Sequence, residues 1–280
     1  MNNVRPLLLI LALSLSAPAY AQTAPPDPAP AADEADPDAR VDALEPDFTL
    51  AALPTTLRMP ARRMAFRVTH RFTRALGQGD FGDLASDFFG FDSGAQIGLE
   101  LRYGLGRGTQ VGVHRTSDRS IQLFGQRSLL SERNGDSMGL DAMVTLEGAN
   151  NLRTRYRSAI GVVASRKAGR RLAVYAEPFF VANTNPAVVD GFDNHTLMVG
   201  LGGRLRIRPA TYLVAEVTPR VAGFDPGSHQ VSFGLEGRAG GHLFQLNVSN
   251  GFGTTLGQVA SGTFSNDNWY IGFNMARKFF

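Results

Sequence analysis

The chain contains no cysteine. That excludes disulfides, thiolate zinc sites, cysteine nucleophiles and an acylated N-terminal cysteine. Lysine is nearly missing, with Lys167 and Lys278 the only two, so the basic groups are almost all arginine. Charged residues make up only 19% of the chain, and one tryptophan is present. Long apolar runs are also missing. The one candidate, near the start, is short, whereas a polytopic helical membrane protein needs several runs of ~20 residues. What is abundant is glycine, 31 of 280 residues, well above the usual ~7%. The length fits one large domain or two small ones.

Met1–Ala21 has the form of a secretory signal, with Arg5 in the n-region, Leu7–Leu15 as a short apolar core and Ala19-Tyr20-Ala21 as the cleavage site. Residues 22–60 then read as an acidic, Pro/Ala-rich periplasmic tether, too poor in large apolar groups to offset its ordering entropy. Within it Phe48, Leu50, Leu53 and Leu57 form an apolar stretch broken by Pro54 and Pro60. That stretch reads as a linker or a short docking segment. Charge divides at this boundary: residues 1–60 carry net −5, residues 61–280 net +8. The basic excess shows no run interleaved with aromatics, so nucleic acid is not an expected partner.

Residues 61–280 alternate apolar and polar positions, as strands with two different faces do. Ile97, Leu99, Leu101 and Tyr103 oppose Gln96, Gly98, Glu100 and Arg102; Leu197, Val199, Leu201 and Leu205 oppose Gly200, Gly202, Arg204 and Arg206. Twelve such runs fall near 62–72, 94–104, 109–116, 120–130, 137–148, 153–165, 171–182, 195–208, 211–222, 229–239, 241–250 and 268–280. Two break the rule. Phe124 sits on the polar face of its run, and 171–182 is apolar on both faces with Pro178 inside. Connections alternate in length: 73–93, 183–194 and 251–267 are long, while their counterparts at the other end are short. Short turns at one end and longer loops at the other are the pattern of outer-membrane barrels. The fold class predicted is an all-β, antiparallel, up-and-down transmembrane β-barrel of about twelve strands over 61–280. Trp269, Tyr103, Tyr156, Phe72 and Phe279 lie near strand ends, as interfacial aromatics do. The closing Phe279-Phe280 resembles the C-terminal signal read by the barrel-assembly machinery, although the apolar parity falls on Phe279.

On the inward-facing parity lie Arg102, Arg155, Arg157, Arg204, Arg206, Arg220 and Arg238, with Glu100, Asp141, Glu147, Glu216 and Glu236. Charge of this kind tunes selectivity in an open pore, and here it would favour anions. The same groups could instead pair across a packed lumen and close it. Twelve strands lie between small filled barrels and open porins. The expected function is therefore a non-enzymatic pore or small-solute barrel of the outer membrane. The alternatives are a closed structural or partner-binding barrel presenting loops 73–93 and 251–267, and a secreted soluble β-sandwich that binds lipid. Outer-membrane lipid and the assembly machinery are the expected partners.

Several stretches carry a family resemblance. They are His70-Arg71-Phe72; Phe88-Phe89-Gly90-Phe91-Asp92-Ser93-Gly94; Tyr103-Gly104; Gly112 with Arg115; and Gly240-Gly241-His242-Leu243-Phe244-Gln245-Leu246. Ser249-Asn250 and Gly272-Phe273-Asn274 complete the set. In this order and spacing the chain resembles a family of uncharacterised Gram-negative barrels, a domain of unknown function, over about 62–280. The resemblance implies an outer-membrane barrel and no catalytic residues. His114 stands before Arg115 where the pattern favours a small residue.

No cofactor or metal is expected. His195 with Asp190 and Asp193 could at most hold a metal weakly, and no HExxH or GxSxG constellation occurs. A barrel hydrolase needs a converging nucleophile, base and acid, and no sequence signature marks one. Loop 73–93, with Phe81, Leu84, Phe88, Phe89 and Phe91, is too apolar for a free loop. It is expected to form a short helix over 83–89 and to pack on the barrel rim, fold inward, or bind a partner.

Overall fold

The computed structural model describes residues 42–185, 187–188, 190–239, 241–263 and 268–280. The signal (1–21), the first part of the tether (22–41) and Gly240 lie outside the described residues.

Alternating polarity becomes a closed wall because each strand has one face for lipid and one for the interior. The strands are β1 (Met64–Phe72), β2 (Ala95–Gly106), β3 (Thr109–Thr116), β4 (Ile121–Leu130), β5 (Gly139–Gly148), β6 (Thr154–Ala168), β7 (Leu172–Ala182), β8 (His195–Arg208), β9 (Thr211–Thr218), β10 (Arg220–Gly223), β11 (Gln230–Ala239), β12 (His242–Ser249) and β13 (Tyr270–Phe279). Pro219 has no N–H and splits one stave into β9 and β10, both paired with β8. Twelve staves therefore make the wall. Neighbours pair antiparallel, and β1 pairs with β13 from Met64↔Phe279 to Arg71↔Gly272, which closes the barrel. The expected strands are recovered with small shifts at their ends. Among the described residues no helix is long and apolar enough to cross a membrane.

The outer face is apolar and exposed to the surroundings of the barrel, with Leu99, Leu101, Leu123, Val144, Ile160, Leu201, Leu213, Phe233, Leu246 and Phe279 among its side chains. Tyr103 and Tyr156 lie on it near strand ends. The inner face is buried, including Arg102, His114, Asp141, Glu147, Glu177, Arg204, Glu216 and Glu236. Long connections gather at one end, here the loop end. The short turns, the start of β1 and the end of β13 gather at the other, the turn end.

Two segments fill the interior, and both correct the sequence reading. The first is residues 42–60, expected to be part of a tether outside the barrel. Leu50 and Leu53 are 0% exposed, and Phe48, Leu57 and Met59 are buried with them. The segment turns back on itself at Leu50–Leu53, where Leu50 N–H donates to Leu53 O (2.7 Å) and Thr55 N–H to Phe48 O (2.9 Å). The physical reason is that its six large apolar groups, Leu44 among them, and its acids meet a concave wall of matching polarity, so burial offsets the ordering cost that a free tether could not repay. The second is the connection between β12 and β13, which the partner-binding alternative presents as an outer surface. Its helix α1 (Leu256–Ala260) points inward. Leu256, Val259 and Ala260 pack on Phe124, Met143, Val163, Phe179, Val181 and Met198. The two segments explain both irregular strands. Phe124, Phe179 and Val181 face α1, while Ala173 and Tyr175 on the same face of β7 pack on Leu44, Leu50 and Leu53 of the inner segment. Pro178 faces outward and leaves β7 continuous.

Candidate functional site: a doubly filled lumen beneath a vestibule

The inner segment is held chiefly by main-chain contacts. Glu216 on β9 receives N–H donations from Ala51 (3.0 Å), Ala52 (3.0 Å) and Leu53 (3.1 Å). A carboxylate can accept several such bonds at once, and charge makes each stronger. The carbonyls of the same turn point the other way, to cations and amides. Arg67 donates to Leu50 O and Ala51 O, both at 3.0 Å. Arg71 donates to Ala51 O (3.3 Å) and Arg204 to Thr49 O (2.9 Å). Gln245 donates to Leu50 O (3.2 Å), and Gln126 on the opposite side to Thr55 O (2.8 Å). Arg102 lies between the rings of Phe48 and Phe124, 5.0 and 4.5 Å from their centroids.

Glycine on the wall makes the room. A Cβ at Gly202 would run into Leu50 Cδ1, and one at Gly200 would lie 2.8 Å from Leu53 Cδ2. Both glycines face inward from β8, so they form a notch for the two leucines at the tip. Gly104 is passed closely by Pro60 O.

At the turn end the acids of the segment find the two lysines. Lys167 Nζ is 2.6 Å from Asp42 and 3.1 Å from Glu45, and Lys278 Nζ is 3.4 Å from Asp47. Burial alone would raise the Asp42 carboxyl, but the hydrogen bond from Lys167 and the charges of Lys167 and Arg133 outweigh it and hold it below its ordinary value. Burial likewise opposes ionisation of Asp47, and Lys278, Arg67 and Arg204 overcome it. Released, both carboxylates return to about 3.9. A group depressed on docking contributes above its free value, and that contribution is lost as pH falls through the lower docked value. Acidification below about pH 4, the free carboxylate value, is therefore expected to weaken docking progressively. Planar-bilayer recordings should show conductance steps appearing over that range, with Asp47→Asn already leaky at neutral pH. Silence throughout would contradict it.

The sequence-predicted charges divide into groups. Arg102–Glu100 (3.0 Å), Arg157–Glu147 (2.9 Å) and Arg204–Glu236 (2.6 Å) pair across the inner wall. Asp141 accepts from Gln126 (2.7 Å). Glu216 binds the segment. Arg220 donates to four carbonyls of residues 224–227 and locks its own loop. Arg206 donates to Pro209 O at the turn end, and Arg238 is half-buried on the inner parity of β11. Arg155, expected in the lumen, is instead exposed at the mouth, where its φ of 51° departs from the strand. Among the family-like residues, Arg71 and Gln245 touch the inner segment. His70 and His242 face outward, stacked on Phe273 (4.7 Å) and Phe244 (5.8 Å), and Arg115 reaches Asn151 (3.4 Å) on the outer side. Phe89 and Asp92 lie in the β1–β2 connection, where they are exposed. Phe279 faces outward, while Phe280 packs near Phe48, Leu57 and Met59. His195 accepts from Asn183 N–H (3.3 Å). Among the described residues no cluster of three His, Asp or Glu could hold a metal.

Sequence reasoning missed Arg67, Lys278, Glu177 and the acids Asp42, Glu45 and Asp47. The opposite charge of segment and barrel was the available signal. The notched run Gly200-Leu201-Gly202 was another.

Above α1, at the loop end, a vestibule of about 630 Å³ remains. Arg119, Arg155 and Arg157 line it with Asn150, Phe252 and Tyr270. Among the described lining residues the one acid is Asp118, which accepts from Ser120 N–H (3.0 Å) and Gln258 (3.1 Å). Phe252 and Tyr270 lie 4.4 Å apart by centroid.

Comparison with known proteins agrees with this architecture. The solved structure of the NanC porin is similar at 8% identity, with a TM-score of 0.51, covering 78% of this chain and all of that one. The KdgM porin, solved in complex with disordered oligogalacturonate, is 10% identical over 78% of this chain and 99% of its own (TM-score 0.47). Omp33 of Acinetobacter baumannii is 10% identical over 78% and 98% (TM-score 0.43). At 8% identity the likeness to the NanC porin is one of fold. No curated protein matches the chain. The family described as a membrane-bound beta barrel domain, DUF5777, matches residues 47–279, which take in the inner segment from Asp47 onward as well as the whole wall. The chain is thus a membrane β-barrel resembling small porins, and it belongs to the DUF5777 family of membrane-bound beta barrel domains.

Proposed function

We propose that this protein is an exported outer-membrane barrel that admits a small anionic solute to its loop-end vestibule and passes it only when its own N-terminal segment leaves the lumen. The observation that carries the reading is the combination of a filled lumen with an arginine-lined chamber above it. The loop end then faces outside and the turn end faces the periplasm, which suits an N-terminal segment arriving from that side. The reading is non-enzymatic, in keeping with the porin-like class. A chamber of about 630 Å³ is the size of sites for small organic ligands. The two exposed arginines, Arg119 and Arg155, supply the attraction, while Arg157 is paired with Glu147 and Asp118 is the one acid among the described lining residues.

Equilibrium binding of carboxylated and phosphorylated monosaccharides, against neutral sugars of the same size, tests the first half. Anionic members should bind in preference, and salt should weaken them. An exposed ionic contact is worth up to about 1 kcal/mol, so Arg119→Glu with Arg155→Glu should cost roughly tenfold or more. Equal affinity for neutral and anionic sugars would defeat the anion assignment. The filled lumen also suits a closed scaffold. Silence in bilayers of every variant that frees the N-terminal segment would favour that second reading.

A further inference from the structure

The connection between β1 and β2 is built as a surface, and the vestibule does not use it. Its helix α2 (Phe81–Ser86) is followed by a single 3₁₀ turn, η1 (Phe88–Gly90). Phe81 is 74% exposed and Phe88 62%, and Phe89 and Phe91 are exposed beside them. Exposed aromatic clusters of this size are rare on a water-facing loop. Phe88 and Phe89 also hold φ of 49° and 57°, in the left-handed region that aromatic residues avoid. Backbone in that region persists where the surroundings hold it and often marks a functional position.

The rings continue an interface already present. On the lipid-facing wall Phe273 stacks on His70 (4.7 Å), and His70 lies 6.1 Å from Phe72. Phe72 ends β1 and lies 4.9 Å from Phe91, which is 5.6 Å from Phe88. An unbroken series of rings thus leads from the outer wall onto the loop. The loop is tied to the wall by Leu76 N–H donating to Trp269 O (2.7 Å) and Thr73 N–H to Gly94 O (2.8 Å). Its acids are largely engaged within it. Asp80 and Asp83 cap the helix reciprocally, and Asp87 pairs with Arg74.

We propose that residues 81–91 form a paddle that lies in the lipid interface beside the barrel, with Phe81, Phe88, Phe89 and Phe91 immersed at the level of the headgroups and upper acyl chains. Aromatic side chains favour that depth. The partner is a lipid surface, reached by direct continuity with the lipid-facing wall. The paddle fixes the height of the loop end against the bilayer and leaves the vestibule open.

Depth-dependent quenching tests this. In a Trp269→Phe background, Phe88→Trp and, separately, Phe81→Trp are reconstituted into phosphatidylcholine vesicles with acyl chains brominated at defined depths. Arg153→Trp, on the exposed β5–β6 connection, serves as the water-facing control. Both paddle reporters should emit to the blue of the control and lose most of their intensity to shallow bromines. Retained heat-modifiable migration in gels certifies that each variant folds. Emission matching the control, with no effect of bromine on either reporter, overturns the proposal. Blue-shifted emission that bromine does not quench, in a preparation that mass photometry shows to be dimeric, also overturns it and assigns the rings to a second copy of the chain.

Discussion

Replacement of Glu216 by leucine is expected to turn a silent barrel into a conducting one. The carboxylate receives three backbone N–H groups from Ala51, Ala52 and Leu53, all within the buried tip of the inner segment. Leucine fills similar space and accepts nothing. A buried donor left without a partner costs about 1–3 kcal/mol. Even the low end, three donors at about 1 kcal/mol, shifts the balance between docked and released segment by roughly 100-fold. The wall should survive, because its strands are joined by main-chain ladders that Glu216 does not enter through its side chain. Two measurements follow the change. Planar-bilayer current reports the open lumen. The cysteine-free chain also allows Ala51→Cys, a small buried position in the same turn, as the only thiol. That thiol should resist maleimide in the parent background and react in Glu216→Leu. Glu216→Gln keeps one acceptor and should fall between. A silent, thiol-protected Glu216→Leu barrel would mean that the apolar contacts alone hold the segment.

The second large effect lies in the notch. Gly202→Leu should expel the tip, since even a Cβ there meets Leu50. An alanine can be absorbed by a shift of the flexible leucine end, whereas a branched side chain cannot. Overpacking of this kind costs about 1–3 kcal/mol, a change of roughly 5- to 100-fold in docking. Leu50→Ala alone should also loosen the segment, by leaving a void worth about 2–5 kcal/mol. Combined, the two changes should offset each other, because residues in contact are not additive. Labelling of Leu53→Cys, which is buried in the docked segment, reads all four backgrounds. A double variant no better protected than the worse single one would sever the link between Gly202 and Leu50.

The wall was legible in the sequence because alternation is local. Each side chain on a strand chooses lipid or interior by parity, and lipid tolerates few charges. The parity of Glu100, Arg102, Glu147, Arg204, Glu216 and Glu236 was therefore readable in advance. Phe124 and the doubly apolar β7 broke the pattern for a reason that alternation cannot express. Phe124, Phe179 and Val181 meet α1, which arrives from a connection more than seventy residues further along the chain, and Ala173 and Tyr175 meet the inner segment from before β1. Arg155 was misplaced because strand parity fails where the backbone leaves the strand at positive φ.

The sequence by itself determined the class of the protein. With no long apolar run, one hydrophobic face per strand and arginine and glycine on the other, only a closed sheet satisfies the backbone in lipid. It also carried the opposed charges of segment and barrel. Only the tertiary structure decided that these charges meet. Residues 42–60 lack an internal period, so nothing local distinguishes a tether from a plug. What ordered them is a concave surface assembled from β1, β4, β8, β9 and β12, whose donors, acceptors and glycine notch exist together only once the barrel has closed.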